Sequence, residues 1–126
     1  QLGELVDFIS IDVAFISLDK VLPVATTLLK NTGSLVALIK PQFEAGKENV
    51  GKGGIVRDSN IHKEVLHRIL QVAYDCGLYI HGLTFSPIKG MEGNIEFLGY
   101  FKKYEEGALT INDELIDAVV TEAHSL

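Results

Sequence analysis

The run Leu35-Val36-Ala37-Leu38-Ile39 is apolar at every position and ends at Lys40-Pro41. A strand with no polar residue on either face belongs in a parallel sheet covered on both sides, whereas a half-exposed strand alternates. Ser34 to Ile39 is therefore a predicted strand, the second in the chain, and the rest of the chain must supply its neighbours and covers. From Lys40 to Arg57 neither helix nor strand periodicity is visible, until Asp58-Ser59 announces a helix. Loops of that length inside a compact domain are uncommon, and are usually functional or disordered. A lysine at the end of a buried strand, beside such a loop, stands where α/β proteins place their chemistry.

The flanking segments fit that frame. Asp7 to Val13, short and rich in β-branched residues, reads as a buried strand with Asp12 as its last polar residue. A helix follows to about Lys30, with Ser17 or Asp19 at its start, Pro23 in its first turn and Gly33 as a left-handed cap. Asp58 or Ser59 caps an amphipathic helix through about Cys76, with Ile61, Val65, Ile69, Val72 and Ala73 on one side, and Gly77 ends it. Leu78 to Phe85 and Ile95 to Lys102 are further strands, separated by a turn-rich stretch from Ile88 to Asn94. Thr110 and Asp113 make a capping box for a last helix buried through Leu115, Ile116, Val119, Val120 and Ala123.

The order β-α-β-loop-α-β-β-α predicts an α/β fold, mainly parallel with one antiparallel strand, with helices on both faces. Asp12 and Lys40 then end neighbouring parallel strands. Glu96 begins the antiparallel one, which brings it to the same edge. An acid, an amine and a second acid can face one crevice. Lys40 alone could merely point into water, and the trio could be a structural salt-bridge cluster. It could equally be a proton-transfer centre, since lysine changes its pKa readily when desolvated.

Bulk properties exclude several classes. The chain has 126 residues, one domain's worth or less, and no apolar run long enough to cross a bilayer. It opens on Gln1 without a leader pattern and enters a strand within six residues, as a piece of a longer polypeptide would. The single cysteine, Cys76, excludes an internal disulfide, implies a reducing compartment and reads as packing. A net charge of −6 argues against broad electrostatic binding to nucleic acid. The distribution is uneven: six acids and no Lys or Arg lie between Glu105 and Glu122, whereas Lys40 to Glu64 holds five bases and four acids. Lys47, Lys52 and Arg57 in the loop are candidates for phosphate contact, against the plainer reading of incidental charge.

Other motifs weaken on inspection. Gly46 to Lys52 matches the first seven positions of a nucleotide-binding P-loop, but Gly53 replaces the magnesium-binding hydroxyl and no strand-turn-helix surrounds it. His62 and His67 are five apart and face different ways, and His81 and His124 lack ligand-spaced neighbours, so no metal site is predicted. Tyr100, Phe101 and Tyr104 could stack on bases, but sheet packing explains them as well.

DFISIDVAFISL, LIKPQFEAGKENVGKGGIVRD and GNIEFLGYF together resemble the hemolysin A/TlyA family of FtsJ-like ribosomal RNA methyltransferases over nearly the whole chain. The resemblance implies a Rossmann-like, S-adenosylmethionine-dependent enzyme acting on ribose 2′-hydroxyls of ribosomal RNA, cytoplasmic, without metal or membrane. It implies a Lys-Asp-Lys-Glu tetrad whose last three places are Asp12, Lys40 and Glu96, with Asp12 near the methyl donor. The first lysine, the donor-binding N-terminal half and a small RNA-binding domain have no counterpart in residues 1–126. The chain is then the C-terminal part of the catalytic domain, with an expected strand order of 4-5-7-6, and is expected to be inactive by itself. The alternatives are a pore-forming hemolysin, as the family's label suggests, and an inert RNA- or protein-binding module of the same fold.

Overall fold

A computed structural model describes residues 4–86 and 93–125, apart from the side chain of Lys52. Four strands, β1 (Val6–Ile11), β2 (Leu29–Ile39), β3 (Tyr79–Phe85) and β4 (Phe97–Lys102), form one sheet in the order β1-β2-β4-β3. β1 pairs parallel with β2, while β4 runs antiparallel to both β2 and β3. This is the mixed sheet the pattern predicts, in the 4-5-7-6 order. Helix α3 (Ser59–Asp75) packs against both α1 (Leu18–Leu28) and α4 (Asp113–His124), so these three share one face of the sheet where the pattern predicts helices on both. Leu35, Ala37 and Ile39 of β2 are buried, Val36 and Leu38 only partly. The helices enclose a core that includes Leu35, Ala37, Ile39, Phe97 and Phe101 from the sheet, and Leu22, Leu66, Ile69 and Ile116 from the helices. None of the described helices is long and apolar enough to cross a membrane.

The junction of α1 and β2 departs from the sequence reading. Pro23 lies in the second turn of α1, and the helix ends at Leu28 with β2 following at once. Gly33 is inside β2, not in a left-handed cap. Pairing jumps there from Val6↔Leu29 to Phe8↔Ser34, so β2 bulges against β1. A Cβ on Gly33 would lie 2.8 Å from the Asp7 carbonyl oxygen and 2.6 Å from a Leu29 methyl. The glycine serves close approach of two backbones, which a helix-cap pattern cannot reveal. The last helix is capped by Asn112, whose side chain accepts from the Leu115 N–H at 2.9 Å, in place of the expected Thr110–Asp113 box. Asp58 caps α3 as read, and Gly77, with φ +90°, closes it. Cys76 packs against the core.

The segment after Lys40 is folded rather than featureless. It holds a short helix, α2 (Pro41–Glu44), and two single 3₁₀ turns, Lys47–Asn49 and Lys52–Gly54. The P-loop reading fails here as expected, because no α-helix starts between Lys52 and Ser59. Two buried polar residues hold the far end of the loop. Asn94 accepts from the Val56 N–H at 2.9 Å and donates to the Gly54 carbonyl at 2.9 Å. His62, fully buried on α3, lies 2.9 Å through Nε2 from the Val56 carbonyl and 2.8 Å through Nδ1 from His124 Nε2. Since Nε2 must donate to a carbonyl, Nδ1 is the acceptor and His124 the donor. The turn-rich stretch from Ile88 lies outside the described residues as far as residue 92.

Burial, with the nearby His124, pushes the His62 imidazole below the ordinary histidine range, against opposing pulls from the Val56 carbonyl and Asp58. The fold therefore favours neutral His62, whereas the unfolded chain takes up a proton near pH 6.5. This contribution is complete above about pH 6.5 and declines as the pH falls below it. Melting temperature should drop as the pH falls below about 6.5, and His62→Gln should start lower and show a flatter profile on that acid side. An unchanged slope in the variant would remove His62 as the source.

Candidate active site at the carboxyl edge of the sheet

Ile11 pairs with Ala37 at the end of β1, and Ile39 pairs with Phe97 where β2 leaves the sheet. The next residue of each strand therefore lies at a common edge: Asp12 after β1, Lys40 after β2, and Glu96 just before β4. Extending the antiparallel register by one step sets Lys40 opposite Glu96. Proline at position 41 disfavours a helical Lys40, and Lys40 is extended at φ −110°, ψ 98°. The chain thus turns sharply after the lysine, not before it.

The Lys40 Nζ is 2.6 Å from Asp12 Oδ1; the lysine side chain is 17% exposed and the aspartate 58%. The amine is thus largely withdrawn from water while its carboxylate partner faces it. Glu96 is buried, and its Oε2 accepts from Gln42 Nε2 at 3.1 Å. Among the described residues Lys40 is ion-paired with Asp12 and not with Glu96. All three sequence-derived residues meet at one edge, but the second acid is held by an amide.

The side chains of α2 explain why the edge keeps its shape. Glu44, 2% exposed, accepts from Ser17 Oγ at 2.6 Å and from the Leu18 N–H at 2.8 Å, and pairs with Arg68 Nη2 at 3.0 Å. Arg68 Nη2 also donates to the Glu44 carbonyl at 2.6 Å, and its Nη1 reaches Asp19 at 3.6 Å. One carboxylate from the segment after Lys40 therefore caps α1, the helix after Asp12, where the helix dipole also favours negative charge. Phe43 packs on Phe15, with ring centroids 4.7 Å apart. Phe15 has φ +66° and is 84% exposed, an uncommon backbone state for a bulky residue.

Lys47 and Arg57 are exposed in the loop, and neither enters an ion pair among the described residues; the Lys52 side chain lies outside them. His62 and His124, separated in sequence, come together on α3 and α4, but no group of three or more metal-type ligands exists among the described residues. Tyr100 and Tyr104 flank Lys102, whose Nζ donates to Ser34 Oγ at 2.6 Å, while Phe101 is core. Sequence reading missed Gln42, Glu44, Arg68 and Phe15. The compact string Lys40-Pro41-Gln42-Phe43-Glu44 was the available signal, since a proline-started turn at a strand end aims successive side chains in different directions.

This chain matches known proteins along most of its length. YqxC of Bacillus subtilis, named as an rRNA methyltransferase, is 49% identical over 120 residues, covering 94% of this chain and 43% of its own. The 16S/23S rRNA (cytidine-2′-O)-methyltransferase TlyA of Mycobacterium tuberculosis is 35% identical over 118 residues, covering 94% and 44%. A solved structure titled as a hemolysin, from Streptococcus thermophilus, superposes with a TM-score of 0.88 at 47% identity, over 97% of this chain and 44% of that one. The chain spans less than half the length of these relatives. The FtsJ-like methyltransferase model matches residues 1–103, a span that includes Asp12, Lys40 and Glu96, and the chain belongs to that family.

Proposed function

We propose that this chain supplies the proton-handling side of an S-adenosylmethionine-dependent transfer of a methyl group to a ribose 2′-hydroxyl of ribosomal RNA. The observation that carries the reading is the Lys40–Asp12 contact of 2.6 Å at the carboxyl edge, with Glu96 opposite in register. The names of the relatives supply the substrate class, and the chemistry of the edge is compatible with it.

An alcohol is a poor nucleophile until its proton has somewhere to go. For Lys40 to receive that proton it must be the neutral amine, a state that like-charge repulsion from the family's first lysine, which has no counterpart in residues 1–126, would favour. The oxygen then bonds the methyl carbon as the methyl–sulfur bond breaks and its electron pair stays on sulfur. Asp12 holds the amine in place, and Glu96 lies on its other side. The group supplied by S-adenosylmethionine when bound is an electrophilic methyl on a sulfonium. A carboxylate more than half exposed, as Asp12 is, fits a neighbouring cation of that kind. The displacement is a single in-line step, so fixing the hydroxyl relative to the methyl carbon accounts for much of the rate.

Phe15 offers an exposed ring three residues past Asp12, backed by Phe43. A base stacked there would bring its own ribose toward Lys40, as aromatic platforms do for unpaired nucleotides. Lys47 and Arg57, exposed in the loop that follows Lys40, are the candidates for the phosphates.

In the whole protein, Lys40→Ala should lower methyl transfer by about two to four powers of ten while S-adenosylmethionine binding, read by calorimetry, stays nearly unchanged. Turnover equal to wild type would end the mechanism. Phe15→Ala should raise the KM for RNA roughly tenfold, the loss of about 1–3 kcal/mol of stacking, and a KM that does not move would exclude the platform. Replacing Lys47 or Arg57 by Ala should each reduce the slope of log affinity against log salt by about one, as measured by RNA binding at several ionic strengths.

A further inference from the structure

Glu96 and Gln42 make an unusual pair. The carboxylate is buried at 7% residue exposure, and the contact it makes at this edge comes from the Gln42 amide. Only the NH₂ end of a glutamine can face a carboxylate at 3.1 Å, so the carbonyl end must turn away. That carbonyl is the one buried side-chain nitrogen or oxygen among the described residues that has no hydrogen-bond partner. Native structures seldom leave such an atom unpaired, and they do so most readily where a site imposes another demand. Flipping the amide would set its carbonyl oxygen against the carboxylate, so the contact with Glu96 fixes which way the amide points.

The placement of Gln42 is not incidental to packing. It is the second residue of α2, and the turn is fixed on either side of it. Across it, the Phe43 N–H donates back to the Lys40 carbonyl at 2.9 Å. After it, Glu44 is locked by Arg68, Ser17 and the Leu18 N–H. A side chain on so short a helix, held at its start and its finish, has little freedom to leave Glu96. Gln42, two positions after the lysine, thus ties the turn to Glu96, which stands opposite Lys40 in register.

We propose that Gln42 is a positioning residue of the site, which holds the Glu96 carboxylate opposite Lys40 and acts on methyl transfer through Glu96. The proposal rests on the functional reading above. Without the amide, Glu96 would be a buried carboxylate free to swing toward the Lys40 amine, or to let water in beside it, and the Lys40–Asp12 geometry would compete with a second ion pair.

The test is a double-mutant cycle in the whole protein with Gln42→Leu, Glu96→Ala and both together, reading kcat, the KM for RNA, S-adenosylmethionine affinity and melting temperature. Gln42→Leu should lower kcat roughly tenfold, with KM and donor affinity within about twofold of wild type, and should add nothing to the loss already caused by Glu96→Ala. In melting temperature the two substitutions should likewise be non-additive. An unimpaired Gln42→Leu enzyme overturns the proposal. So does an equal penalty in both backgrounds, which would mark a merely structural role. A wild-type protein with no methyl transfer would instead sink the functional reading, and the melting-temperature cycle then decides: coupling keeps the Gln42–Glu96 link, and additivity removes it.

Discussion

A carboxylate withdrawn almost completely from water cannot stand alone, and Glu44 is such a group. Its partners come from two places far apart in the chain: Ser17 and Leu18 at the start of α1, and Arg68 in the middle of α3. Removing one partner of a buried charge pair typically costs about 3–5 kcal/mol, and the half-exposed Arg68 places this case toward the low end. That contact decides where α2 lies. Because α2 follows Lys40 and α1 follows Asp12, it also holds together the two strand ends that carry the amine and the first acid. The position of Gln42 against Glu96 is a consequence of the same anchor.

The edge is thus built in two shells with different physics. The outer one is the sheet register, in which parallel β1–β2 pairing and antiparallel β2–β4 pairing bring three strand ends level. The inner one is a set of short polar contacts between 2.6 and 3.1 Å that choose among the possible partners at that level. Register alone would allow Lys40 to sit with either acid. The contacts give it Asp12, the more exposed of the two, and leave Glu96 to an amide. The amine at this edge is defined as much by the partner it does not take as by the one it does.

The long connection between β2 and α3 is tied down at both ends and exposed between them. Glu44 fixes its beginning; Asn94 and His62 fix its end through the backbone of Gly54 and Val56. Lys47 and Arg57 project from this frame. Phe15, held in a left-handed backbone state and leaning on Phe43, extends the same rim. Strain of that kind persists only where surrounding contacts enforce it, and here the enforcing contacts belong to the KPQFE turn.

The strands, the three long helices and the strand-end positions of Asp12, Lys40 and Glu96 could be read from the sequence, because each rests on a local period or a local end signal. An unbroken apolar run stops at Lys40, Asp58 caps α3, and Gly77 takes the positive φ that closes it. Gly33 was misread for the same reason: a glycine after a helical pattern looks like a cap, and only the approach of Asp7's carbonyl shows that it serves the sheet. Nothing local to Glu44, Gln42 or His62 announces a partner, since Arg68, Glu96 and His124 lie 24, 54 and 62 residues away. Periodicity and caps are set by neighbours along the chain and so survive in the sequence. The choice of partner for a buried charge or amide is made by packing across the chain, and only the tertiary structure decided it.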